Sequence, residues 1–141
     1  MPGALSCSEV IGMNVRATLW ELRRLRVSQH RHLDLAAEYL HRAGQGVSYK
    51  RATDIGGTGN CPLTDYAEAH AQERRLALRA RAQADAIWAR FAPMLEGMEL
   101  DERSVIELYY NDAVPREDIP ELIKRSAAAC DRMYHEGLAR L

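Results

Sequence analysis

The chain has 141 residues with a formal net charge of −1, which suits one domain or a compact module plus an extended one and leaves no global electrostatic footprint for nucleic acid. At 47% apolar residues, with 9 glycines and 5 prolines, the composition excludes a disordered tract. Three scattered cysteines (Cys7, Cys61 and Cys130) argue against a disulfide framework, and no run of about eighteen apolar residues offers a membrane span.

Residues 1–14 read as a loose lead-in. They have no basic start and too short an apolar run for a secretion signal, so a cytoplasmic location is expected. From residue 15 to 43, Leu19, Leu22, Leu25, Leu33, Ala36, Ala37 and Leu40 recur at three- and four-residue steps. That spacing predicts an amphipathic helix roughly 40 Å long at ~1.5 Å per residue. Residues 44–61, with Gly44, Gly46, Gly56, Gly57 and Gly59, read as a loop. No Gly-Lys-Ser/Thr follows the glycines, so the loop is not read as a phosphate cradle.

A second long helix is expected from Pro62 or Thr64 to Met94, with Pro62 in its first turn and Thr64 able to cap. Tyr66, Ala69, Glu73, Leu76, Ala80, Ala84, Ile87, Phe91 and Met94 trace one face of it, and Pro93 and Gly97 mark its end. Two such helices make an antiparallel hairpin over residues 15–97. Stripes this narrow need further helices to close a core, from the tail or from a second copy, so a homo-oligomer is expected.

Residues 98–141 carry three shorter helices in the reading. Asp101 caps the first, with Leu100 and Val105 at staple spacing, and Val105, Ile106, Leu108 and Tyr109 form its stripe. Pro115 starts the second, Glu117 and Asp118 lie in its first turn, and Ile119, Leu122 and Ile123 form its buried face. Ser126 caps the third, whose stripe is Cys130, Met133, Tyr134, Leu138 and Leu141. The last two are spaced as a helix-turn-helix, giving an all-α fold.

Chemistry-bearing clusters are few. His30 and His32 point to different sides of one helix, and His41, Cys61 and His70 lack the tight pairing of zinc ligands, so no metal or cofactor is expected. No nucleophile–base arrangement is visible, and the acidic pairs fall at helix starts, so the chain is not read as an enzyme. Trp20 and Trp88 are read as core or subunit-interface packing. Arg23, Arg24 and Arg26, and Arg74, Arg75, Arg79 and Arg81, form runs that suit either solvated faces or phosphate-contacting stripes.

The stretch from Arg103 to Leu141 resembles region 4 of bacterial sigma factors, through Arg103, Val105, Ile106, Leu108, Tyr110, Glu117, Asp118, Ile119, Leu122, Ser126, Leu138 and Leu141. With a long helical part and a Gly-rich loop before it, the layout is similar to the small phage and prophage ArpU/RinA-type regulators of late transcription. The resemblance implies a sigma-region-4-like helix-turn-helix acting on double-stranded DNA or bacterial RNA polymerase in a bacterial host cell. It places the DNA-facing positions at Lys124, Arg125, Ser126, Ala127, Ala128, Asp131, Arg132 and His135. This chain departs from the pattern at Pro120, at Lys124 where the turn usually has glycine, and at Ala127, Ala128 and Asp131, which make no bidentate base contact. From Asp101 to Leu141 there are nine acidic and six basic residues, a poor balance for neutralising phosphates. A second expectation therefore stands beside the first: a phage accessory protein that binds and inhibits a host protein, whether polymerase, sigma factor or a defence nuclease such as a CRISPR effector, without reading DNA.

Overall fold

A computed structural model describes the backbone of residues 14–53 and 62–141 and the side chains of 14–44 and 65–141. The expectations for residues 1–13, Cys7, Cys61 and the glycines at 56–59 lie outside these. All regular structure among the described residues is helical: α1 (Val15–Thr53), α2 (Pro62–Leu95), α3 (Leu100–Ile106) running into a π turn (Glu107–Asn111), a 3-10 turn (Arg116–Asp118), α4 (Ile119–Ile123) and α5 (Ala127–Arg140). The all-α fold with its helical hairpin is as read from the periodicity.

Asn14 caps α1. It adopts φ 65°, a left-handed conformation that asparagine tolerates, and its Oδ1 accepts from the Ala17 N–H at 3.2 Å. α1 does not stop at Gly44 but runs on to Thr53. Isolated glycines in a helix cost about 0.5–1 kcal/mol each without breaking the backbone ladder, so Gly44 and Gly46 mark no boundary. α2 passes through Pro93 and ends two residues later, because only the turn before a proline is disturbed.

The chain divides into two compact units, one of residues 1–27 and 82–141, the other of residues 28–81. The units do not divide at residue 98: the three short helices share a core with the first turns of α1 and the last turns of α2. In the first unit Leu19, Leu22, Phe91, Leu95, Val105, Ile106, Tyr110 and Ile119 are essentially inaccessible. Burial of each large apolar side chain is worth about 1.5–3 kcal/mol, which makes this the stable part of the molecule. Trp88 packs half-buried against that core, whereas Trp20 is 50% exposed.

The second unit is built differently. Its inaccessible apolar side chains, among the described residues, are Ala36, Ala43, Ala77 and Ala80. Beside these alanines, polar and aromatic contacts join the two helices. His32 pairs with Glu73, the His70 Nδ1–H donates to the Ala36 carbonyl at 2.8 Å, and Tyr39 stacks on Tyr66. Leu33, Ala37 and Leu40, read from the sequence as part of the buried stripe, are exposed instead. The inward seam runs through His32, Ala36, Tyr39 and Ala43, and Leu33 and Leu40 fall beside it.

Candidate functional site

α3 is capped two residues earlier than its sequence suggests. Glu99 occupies the cap position and Asp101 lies in the first turn. Leu100 is 65% exposed, so it makes no staple with the buried Val105. The carboxylate that matters structurally is Glu102, 1% exposed, with Arg140 Nε 3.2 Å from its Oε1 but no hydrogen bond to either oxygen. The pair is Coulombic, reaching from the first turn of α3 to the end of α5. The close approach of these helices is made at Gly137, where a Cβ would stand 2.7 Å from Ile106 Cδ1.

The π turn after α3 is held by arginines from α1. Arg23 Nη1 donates to the Tyr109 carbonyl at 2.5 Å and the Val114 carbonyl at 3.2 Å, with its guanidinium 4.1 Å from the centre of the Tyr109 ring. Arg26, 9% exposed, donates to Asn111 Oδ1 through Nη2 at 2.7 Å and Nε at 3.1 Å, and to Asp85 Oδ1 at 2.7 Å. A helix end presents unpaired carbonyls and partial negative charge, so two cations there are well placed. The Arg23–Arg26 run is thus mostly engaged inside the unit, and Arg24 pairs with Glu21. Sequence reasoning offered solvent or phosphate for these residues. Their three-residue spacing on one face was the signal that at least two faced inward.

Aromatic packing continues from the turn into α5. Trp20 and Tyr134 both stand edge-on to Tyr109. The Tyr110 and Tyr134 hydroxyls share a hydrogen bond of 2.6 Å. Burial, reinforced by that bond, holds the Tyr110 hydroxyl far above the ordinary phenol range.

The turn into α5 follows from three residues. Pro115 is extended (φ −58°, ψ 144°) and precedes the 3-10 turn, rather than opening the second helix. α4 starts late, with Asp118 at its cap, so Pro120 falls in the first turn, where a missing N–H is harmless. Lys124 ends α4 in the left-handed region (φ 58°, ψ 47°), and the Arg125 N–H closes back on the Pro120 carbonyl at 3.0 Å. Ser126 then caps α5, its Oγ accepting from the Ala129 N–H at 3.1 Å. Of the expected buried face of α4, Ile119 is buried and Ile123 half-buried, but Leu122 is 58% exposed.

All eight positions assigned to DNA, Lys124, Arg125, Ser126, Ala127, Ala128, Asp131, Arg132 and His135, are exposed on the turn and along α5. Several are already engaged. Arg125 pairs with Asp101 at 2.8 Å, and Asp131 pairs with Arg116 and lies 3.6 Å from His135 Nε2. Lys124 and Arg132 form no ion pair with the described residues. Ala127, Ala128 and Asp131 also line a groove of about 520 Å³ between the 3-10 turn and α5, floored by Val105, Ile119 and Cys130. Burial pushes the Cys130 thiol up, consistent with a small core residue rather than a nucleophile.

Among the described residues no group of three or more His, Cys, Asp or Glu side chains is placed to hold a metal ion. No described helix is long and apolar enough to cross a membrane. No protein-family model, no curated protein and no solved structure matches the chain.

Proposed function

We propose that this chain is a phage- or prophage-type transcription regulator whose C-terminal helices bind bacterial RNA polymerase, with DNA contact confined to backbone phosphates. The helix-turn-helix succession of α4 and α5 supports the regulator half of this reading. The observation that carries the division between protein and DNA is the state of the α5 face. Its base-reading positions offer two alanines and a carboxylate, and only Lys124 and Arg132 remain uncommitted cations. Neither alanine nor a paired aspartate supplies a bidentate base contact, and two phosphate contacts give weak affinity with a shallow salt dependence. We also propose that the chain self-associates, because the second unit leaves Leu33, Leu40 and Leu78 exposed.

The test is binding of the full chain to purified polymerase and to promoter DNA at low salt. Polymerase binding is expected. DNA binding is expected to be weak and to be reduced uniformly across sequences by Lys124→Ala with Arg132→Ala. Failure to bind either target refutes the reading. The acidic excess of the tail suits contact with protein rather than DNA, which leaves one alternative, inhibition of a different host protein; capture of a single such protein, with polymerase and DNA both silent, would establish it.

A further inference from the structure

We propose that α1 carries, in the second unit, a second heptad seam that docks antiparallel on the same seam of another copy of this chain. The inference rests on the self-association proposed above, not on the regulator reading. The inward seam, His32, Ala36, Tyr39 and Ala43, is covered by α2. One position further along, His30, Leu33, Ala37, Leu40 and Gly44 repeat at alternating three- and four-residue steps, the spacing of a coiled-coil seam. This outer seam is uncovered: Leu33 is 45% and Leu40 59% exposed, and Ala37 and Gly44 are exposed as well. A helix with two adjacent seams is what a four-helix bundle requires, each helix facing two neighbours.

The pattern on the outer seam identifies its occupant. It alternates large and small: Leu33, Ala37, Leu40, Gly44. When two copies run antiparallel about a two-fold axis, Leu33 of each faces Gly44 of the other, and Leu40 faces Ala37. Knobs then meet holes at every layer. The same register brings Asp34 towards His41 of the other copy, a complementary pair at the seam's edge. A parallel pairing would instead set leucine against leucine and glycine against glycine. Among the described residues nothing requires Gly44 to be glycine, since a Cβ there meets none of them within 4 Å.

The experiment is sedimentation velocity of the full chain over a concentration series, with circular dichroism as the folding control. A dimer is expected. Leu33→Glu with Leu40→Glu should dissociate it with helicity unchanged, since both side chains are exposed in the single chain. Gly44→Leu should weaken the dimer more than about tenfold by overfilling the hole opposite Leu33. Leu33→Ala combined with Gly44→Leu, a size swap across the seam, should restore it. A monomer at every concentration overturns both this surface and self-association. A dimer indifferent to the two glutamates overturns the surface alone, and failure of the size swap overturns the antiparallel register.

Discussion

Lys124 is the residue at which fold and DNA contact pull in opposite directions. It holds φ 58° and ψ 47°, where an L side chain costs about 1–2 kcal/mol through contact of its Cβ with the backbone. Glycine removes that cost but adds unfolded-state entropy worth about 0.5–1 kcal/mol. The lysine side chain is exposed and forms no ion pair with described residues, so little else is lost. Lys124→Gly is therefore expected to stabilise the first unit by about 0.5–1 kcal/mol, raising its melting temperature by roughly 2–4 °C. Urea denaturation followed by circular dichroism measures this. The same substitution removes one of two uncommitted cations beside α5, so any low-salt DNA affinity should fall and its salt slope shrink by about one. Destabilisation by more than about 0.5 kcal/mol would refute the backbone argument. Unchanged DNA affinity would remove Lys124 from the phosphate-contacting set.

Arg26→Met keeps the packing stem but loses the charged hydrogen bonds to Asn111 and Asp85. It should cost about 1.5–3 kcal/mol in denaturant unfolding, against less than about 0.5 kcal/mol for the exposed Arg24→Met. Tyr110 has a raised folded-state pKa, so above pH ~10 the unfolded chain sheds its phenolic proton while the folded chain keeps it. Stability should then fall by about 1.4 kcal/mol per pH unit, and urea midpoints between pH 9 and 11, taken as roughly bracketing the unfolded value, should lose that slope in Tyr110→Phe. Arg140→Leu should destabilise by about 1–2 kcal/mol, because it strips the cation that, among the described residues, pairs with the buried Glu102 carboxylate. Adding Glu102→Leu to that variant should recover most of the loss, as chemical denaturation of the pair would register.

Much of the fold could be read from residue spacing, because burial imposes period. The stripes through Leu19 and Leu22, Ala84 and Phe91, and Cys130, Met133 and Leu138 all face the core of the first unit. Ser126 was legible as a cap because its oxygen serves only neighbouring backbone. Pro120 was legible as a departure, because a proline in a helix interior loses a backbone hydrogen bond, and its place in the first turn of α4 removes that cost. The errors share a cause. Leu33 and Leu40 fit the apolar rhythm as well as Ala36 does, and rhythm alone cannot choose between two adjacent seams on one helix. Helix continuation through Gly44 depends on a balance of about 1 kcal/mol, below what composition resolves. At the candidate site, Arg23 and Arg26 read as surface charge because their acceptors, the Tyr109 carbonyl and the Asn111 amide, lie more than eighty residues away. The π turn they hold leaves no trace in residue type. The pairing of Arg125 with Asp101 was hidden for the same reason, although it bears on whether α5 can hold DNA.

The central claim is that the tail binds RNA polymerase through its acidic helical surface rather than reading a base sequence through α5. It is tested most directly by measuring affinity for purified bacterial RNA polymerase with the wild-type chain and with Glu117→Lys, Asp118→Lys and Glu121→Lys combined. These three exposed acids lie on the 3-10 turn and α4 and take part in no described ion pair. Saturable binding that the charge reversal weakens at least about tenfold, with promoter DNA bound only weakly and without sequence preference, is the predicted result. No polymerase binding, or tight sequence-specific DNA binding that the reversal leaves intact, would contradict it.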